Sequence, residues 1–267
     1  MSDGGGRPGR WGPPVLLVGA IVLLWEAYTR LAALDPITLP APSRVLDALW
    51  TSRDVAVRHL VPTLVEAMAG LTLSVVLAVA TAVALDRWGP VRRAVEPVLV
   101  TSQTIPIVAI APLFVIWFGF GLLPKVLIVV LVTFFPVTIA LLDGFGRVDP
   151  DAMTLLRSMG ATANQTLRKL RWPAALPSLF TGLRISAVYA VIGAIFGEYV
   201  GATDGLGIWM RLSQNSFRTD LVFGAILLTA IVSVALYVAV GMAERVVVPW
   251  SPAARSASPE VAPDARP

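Results

Sequence analysis

Six long apolar runs separated by short polar segments organise this chain. They cover roughly residues 14–33, 61–85, 97–118, 122–142, 179–200 and 221–243, each near the ~20 residues an α-helix needs to cross a bilayer. The pattern predicts an all-α polytopic membrane protein with six transmembrane helices, its transmembrane domain spanning 14–246. Trp11, Trp25 and Tyr28 flank the first run, and no small-residue cleavage site follows it, so it reads as a retained span and not a signal peptide's core. The Gly/Pro/Arg stretch 1–13 and the tail 247–267, rich in Pro, Ala and Ser from Ser251, have little to bury and read as disordered.

The polar segments have patterns of their own. Residues 35–59 predict a turn around Pro40 and Pro42, then a short amphipathic helix over 43–50 on the outer surface. Pro62 is tolerable near the start of the second span. The segment 86–93, DRWGPVRR, predicts a tight cytoplasmic loop marked by Arg87, Arg92 and Arg93. The third span carries Ser102, Gln103 and Thr104, then Pro106 and Pro112, which predicts a bent helix lining a path. The competing reading is that these hydroxyls and amides only join helices together. Gly119, Gly121 and Pro124 make an outer turn, and residues 201–220 form a glycine-rich outer loop.

The polar stretch with the most internal logic is 149–177, DPDAMTLLRSMGATANQTLRKLRWPAALP. Asp149 can cap a helix that has Pro150 in its first turn and Asp151 at the positive end of the dipole. Gly160 can stop it. Thr162 offers a second cap, Gln165 completes a capping box, and Pro173 is expected to end that helix. Both helices are far too short to span, so they should lie at the membrane surface on Leu155, Leu156, Met159, Leu167 and Leu170, held inside by Arg157, Arg168, Lys169 and Arg171. A plain solvated basic loop is the alternative.

Composition narrows the class. The 267 residues are 56% hydrophobic and 14% charged, with a mean hydropathy of +0.76; a soluble domain carries about a quarter charged residues. Six spans put both termini on one side. Of the 21 Lys and Arg residues, 14 then lie inside and seven outside, from Arg7 to Arg266 with Arg184 counted inside as a snorkelling residue, which favours cytoplasmic termini. The basic residues flank spans and form no separable polar domain, so nucleic acid is not an indicated partner; the lipid bilayer is.

Chemistry-bearing groups are sparse. The chain has no cysteine and no phosphate-binding P-loop, and no metal-ligand spacing surrounds its one histidine, His59. Catalysis and resident cofactors are therefore not expected. Glu26, Glu66 and Glu198 are the intramembrane carboxylates, functional candidates by default. Glu26 and Glu198 fall near span ends, where a structural role fits equally.

At Gly160 the stretch 149–177 resembles the cytoplasmic signature loop of ABC importer permease subunits: E-A-A, three residues, Gly, nine residues, I-x-L-P. Gly160 takes the glycine, Leu170 the isoleucine and Pro173 the last proline, while Thr154, Leu155 and Leu156 stand in place of Glu-Ala-Ala and Trp172 in place of the leucine. The resemblance covers about residues 60–245. It is nearest the nitrate, sulfonate and taurine type, through Leu39, Pro40, Pro42 and Val45, while residues 102–121 look like the thiamine-pyrimidine precursor or riboflavin branch.

The resemblance implies a type I importer fold in the bacterial inner or plasma membrane, with two permease copies, most simply a homodimer, forming the pathway. It also implies an ATPase dimer that supplies ATP and Mg chemistry and an extracytoplasmic substrate-binding protein. Residues 149–173 would be coupling helices, with Thr154, Arg157, Gly160, Thr162, Gln165, Leu170 and Pro173 as ATPase-coupling candidates. Ser102, Gln103, Thr104, Trp117, Tyr189 and Glu198 are the pathway-lining candidates. The alternatives are the substrate-holding membrane component of an energy-coupling-factor vitamin transporter, against which the long inner loop argues, and an intramembrane enzyme, against which the lack of clustered His, Asp or Cys argues.

Overall fold

The structure is a computed structural model that describes residues 12–250. Most of both tails expected to be disordered, 1–11 and 251–267, lies outside those residues. The described chain is helical: α1 (Gly12–Leu31), α2 (Pro42–Thr51), α3 (Arg53–Arg87), α4 (Gly89–Ser102), α5 (Ile107–Phe118), α6 (Leu122–Gly146), α7 (Pro150–Ser158), α8 (Ala163–Thr166), a π-helical turn (Leu167–Arg171), α9 (Trp172–Gly201), α10 (Leu206–Asn215) and α11 (Thr219–Val247).

Among the described residues, four helices are long and apolar enough to cross a membrane: Arg53–Arg87, Leu122–Gly146, Ala163–Gly201 and Thr219–Val247. The pair α4 and α5 adds a fifth if taken as one broken span. The first expected span is the 20-residue α1, which stands apart from that set. Its residues Leu16, Leu17, Leu23 and Leu24 are exposed, an apolar surface suited to lipid. It is tied down at its far end, where Trp25 meets Phe223 with ring centroids 5.5 Å apart.

Packing centres on the antiparallel pair α6 and α9, flanked by α3 and α11. At one end of the bundle Ala78, Ala82 and Leu85 of α3 close on Val137, Leu141, Leu142 and Phe145 of α6 and on Ala175 and Leu179 of α9. Midway, Ala67 and Leu71 meet Val129, Ala187, Ala190, Val191 and Ala194. At the other end Ala56 packs with Leu206, Trp209 and Met210 of α10 and Ala225 of α11. Alanines and glycines at these contacts let backbones approach closely, which is how helices associate where lipid offers no hydrophobic contrast.

One expectation is sharpened and three are corrected. The bend expected in the third span is present as a full break: α4 and α5 meet at 97°. Pro106 has no N–H to donate and disfavours helix at Ile105. The hydroxyls of Thr101, Ser102 and Thr104 bond back to the carbonyls of Pro97, Leu99 and Thr101 at 2.7–2.8 Å, so they compete with the helical ladder where it breaks. The loop expected over 86–93 shrinks to Trp88, because Gly89 and Pro90 are the first residues of α4, where a missing N–H is harmless. The outer loop over 201–220 holds a ten-residue helix, α10, with Leu206, Ile208, Trp209 and Met210 buried. Finally, Pro173 does not end a helix: the chain stays helical from Ala163 to Gly201. The π turn just before Pro173 widens the coil where the ring would clash with the carbonyl four residues earlier.

Candidate functional site

The segment 149–173 is built from local capping. The Asp149 carboxylate accepts from the Asp151 N–H at 2.9 Å and starts α7. The helix closes with the paired bonds of a Schellman ending: Gly160 N–H donates to Arg157 O at 2.9 Å and Ala161 N–H to Leu156 O at 3.0 Å. Gly160 has φ of 78°, a left-handed conformation that glycine adopts without penalty. Two residues on, the Gln165 N–H donates to Thr162 Oγ1 at 3.3 Å and the Thr162 N–H to Gln165 Oε1 at 2.8 Å, a complete capping box. Thr162→Ala is expected to cost about 1 kcal/mol of local stability. Hydrogen exchange should speed at the amides of residues 163–165 and stay unchanged at the centre of α9; unchanged exchange at 163–165 would refute the capping role.

The capped segment is braced to the ends of the long helices. Arg171 pairs with Asp86 at the end of α3 at 2.5 Å, donates to Phe145 O at 3.3 Å, and lies 5.7 Å from the centroid of the Phe145 ring. Arg87 donates to Asn164 Oδ1 at 3.1 Å. Asp86 and Phe145 are participants that sequence patterning missed. A carboxylate at the very end of a hydrophobic span, facing a basic run, was the available signal.

The coupling candidates divide by exposure. Thr154, Arg157, Gly160, Thr162 and Gln165 are exposed, with Leu155 and Met159 beside them, while Leu170 and Pro173 are half-buried against the bundle. The result is a short capped rod, α7, presented outward, with a foot, α8 and the π turn, that continues directly into a transmembrane-length helix. A cleft of about 310 Å³ opens between the rod and the end of α3, lined among others by Asp86, Arg87, Met153, Arg157 and Arg171.

The pathway candidates also divide. Ser102, Gln103 and Tyr189 line one concavity of about 210 Å³ at the break between α4 and α5, together with Ile107, Phe135 and Pro136. The hydroxyl and amide come from the broken helix and the phenol from α9, so the break opens a small mixed polar and aromatic chamber. Thr104 and Trp117 are exposed outside that lining. Glu198 is elsewhere: it is fully buried inside the subunit. Its Oε1 accepts from Thr63 Oγ1 at 2.5 Å and its Oε2 from the Gly207 N–H at 2.5 Å.

The remaining candidates are absorbed structurally. Glu26 accepts from the Ser43 N–H at 3.0 Å and from Ser43 Oγ at 2.8 Å, so a carboxylate on α1 caps α2. Glu66 pairs with Lys125 at 2.5 Å. His59 accepts from the Gly205 N–H at Nδ1 at 3.0 Å and stacks on Trp209.

Comparison with known proteins agrees with this geometry. Residues 70–250 match the model of the family described as binding-protein-dependent transport system inner membrane component. The chain is 37% identical over 238 residues to the formylaminopyrimidine transport permease protein ThiX of Halalkalibacterium halodurans, covering 89% of this chain and 95% of that one. It is 35% identical to the riboflavin transport system permease protein RibX of Chloroflexus aurantiacus, covering 90% of each. It is 30% identical to the taurine transport system permease protein TauC of Escherichia coli, covering 88% and 89%. In fold it is similar to a chain of the inward-facing MetNI methionine ABC transporter, with a TM-score of 0.64 at 21% identity over 73% of this chain and 97% of that one. The chain belongs to the family of binding-protein-dependent transport system inner membrane components, the permeases of ABC importers.

Proposed function

We propose that this permease is driven by an ATPase dimer that grips α7, and that it imports a small nitrogen-heteroaromatic solute delivered by an extracytoplasmic binding protein. The observation that carries this reading is the braced foot of an exposed rod: α7 is exposed, and the α8 and π-turn segment that follows it is tied through Asn164 and Arg171 to Arg87 and Asp86 at the end of α3 and runs on into α9. A partner that binds ATP can shift the helices between inward-open and outward-open states only through contacts that differ between those states. A rigid handle on two long helices supplies such contacts.

In this reading the end of the bundle bearing α7 faces the cytoplasm, as the excess of Lys and Arg at the inner segments favours, and six spans place both termini there. A second copy of the chain completes the pathway, with Ile116, Trp117 and Phe118 of α5, all exposed here, as candidates for that interface. Residues 149–173 act as the coupling helices. Family membership sets aside the energy-coupling-factor alternative.

The cargo class follows from two supports. Identity is higher to the formylaminopyrimidine and riboflavin permeases than to the taurine permease. The chamber lined by Gln103, Phe135 and Tyr189 offers an amide and two aromatic rings, which suit a flat heterocycle better than a sulfonate.

Affinity capture of the detergent-solubilised chain from its own cells should recover an ATPase subunit. Recovery should be lost on deleting residues 157–171, and also in the milder double variant Leu155→Glu, Met159→Glu, whose sites are exposed. Undiminished capture by both variants would refute α7 as the handle. Uptake of labelled formylaminopyrimidine or riboflavin, and not taurine, is expected of the assembled system; taurine uptake alone would overturn the cargo class and leave the permease role intact.

A further inference from the structure

At the end of the bundle away from α7, three consecutive backbone donors are taken by three side chains. Gly205 N–H donates to His59 Nδ1 at 3.0 Å, Leu206 N–H to Thr63 Oγ1 at 2.9 Å, and Gly207 N–H to Glu198 Oε2 at 2.5 Å. These are the N–H groups that the start of α10 leaves without helical partners. His59 and Thr63 lie one turn apart on α3, and Glu198 is on α9, so two spans hold the head of a third, short helix. Thr63 Oγ1 also donates to Glu198 Oε1 at 2.5 Å, which joins the holders to one another.

The approach is close enough that a Cβ at Gly205 would collide with the Glu198 carboxyl group. Gly205 has φ of 131°, and Phe217, just past the other end of α10, has φ of 55°. Both are left-handed, and for Phe217 that conformation is uncommon. The ten-residue rod therefore hangs between two sharp corners, a geometry in which small dihedral changes swing a whole element.

Glu198 also has a second partner within electrostatic reach. Lys125, at the start of α6, pairs with Glu66 at 2.5 Å and lies within electrostatic range of Glu198.

We propose that Glu198 is the positioning residue of a latch: in one state of the transport cycle its carboxylate pins the head of α10 across the ends of α3 and α9, and in the other it releases α10, so that this end of the pathway opens. The latch couples to nucleotide through α9, whose other end is the foot of the α7 handle, and so it rests on the ATPase-driven reading above.

The chain has no native cysteine, so single cysteines report cleanly. Ser213→Cys places a probe on the buried face of α10, and Ser186→Cys places a control in the α6–α9 contact, where Ser186 Oγ donates to Thr133 O at 3.1 Å. Labelling by a membrane-impermeant maleimide is followed in the chain purified with its ATPase, without nucleotide and after trapping with MgATP and vanadate. In the parent the Ser213→Cys rate should differ between the two conditions by about tenfold, within the range usual for coupled sites. Glu198→Ala should make the two rates equal, whereas Glu198→Gln, which keeps one acceptor oxygen, should restore part of the difference. Ser186→Cys should stay protected throughout.

Nucleotide-independent labelling in the parent, or a parental difference that survives Glu198→Ala, would overturn the latch. Labelling of Ser186→Cys in Glu198→Ala would also overturn it, by showing that the residue merely holds the fold. Failure of the parent to retain an ATPase would instead overturn the reading beneath it.

Discussion

Replacing Lys125 with alanine is expected to destabilise the folded chain by about 3–5 kcal/mol, the usual cost of stripping one partner from a buried ion pair. The Lys125 ammonium lies 2.5 Å from Glu66 Oε1, and the two side chains are 12% and 3% exposed. The Glu66 and Glu198 carboxyl groups are both buried and lie against one another. Without the ammonium, two carboxyl groups face each other with no cation between them, and neither can reach water. A charge left alone in such surroundings loses its hydration and receives nothing in return. Exchanging both members for neutral residues of similar size, Lys125→Met with Glu66→Gln, removes the conflict and should recover most of the loss, because whole buried pairs are often replaceable at little cost. Thermal unfolding of the detergent-solubilised variants followed by tryptophan fluorescence decides the matter. A single variant within about 1 kcal/mol of the parent, a size typical of exposed pairs, would mean that the pair is hydrated in the protein.

The same cluster marks where sequence reading reaches its limit. The caps at Asp149, Gly160, Thr162 and Gln165 were legible because each depends on groups within about three residues, and the structure forms every one of these bonds. The long spans were legible because apolar length is a property of the run alone. What stayed illegible depended on partners distant in the chain. Nothing local says that Glu198 meets Thr63, 135 residues away, so its position near a span end left a pathway role and a structural role both open, and only the fold shows its carboxylate capping another helix inside the subunit. The α10 helix was hidden for a related reason: LGIWMRLSQN is short and set among glycines and polar residues, and its N-terminus is satisfied by side chains from α3 and α9 in place of a cap of its own. At Pro106 and Pro173 the local rule was the same, yet the outcomes differ. Serine and threonine hydroxyls compete for the carbonyls beside Pro106, and the helix breaks. A π turn precedes Pro173, and the helix continues.

A large structural effect of a single added side chain is expected at Gly182. A Cβ there would lie 2.7 Å from Ala140 Cβ, 2.9 Å from Pro136 O and 3.3 Å from Val137 Cα. Two of those three obstacles are backbone, so no rotamer change clears them. Gly182 begins a row of small residues on α9, continued by Ser186, Ala190, Gly193 and Gly197, that runs along α6. Gly144 of α6 answers from the other side, where a Cβ would lie 2.9 Å from Ala175 Cα. Close approach along such a row is the main source of association between helices in lipid, and separating the axes by even a methyl group surrenders dispersion contacts along the whole seam. Gly182→Ala is therefore expected to cost about 1–3 kcal/mol, as overpacking in a tight interior does. Gly182→Leu should prevent α6 and α9 from docking and leave little folded protein after detergent extraction. Ile185→Leu, one turn away at a half-exposed position, serves as the control and should behave as the parent. Size-exclusion chromatography of the three variants separates the outcomes: a monodisperse Gly182→Leu peak with parental thermal stability would show that the seam is looser than these distances require, and with it the rigid connection through which α9 would carry motion from the α7 handle to the opposite end of the bundle.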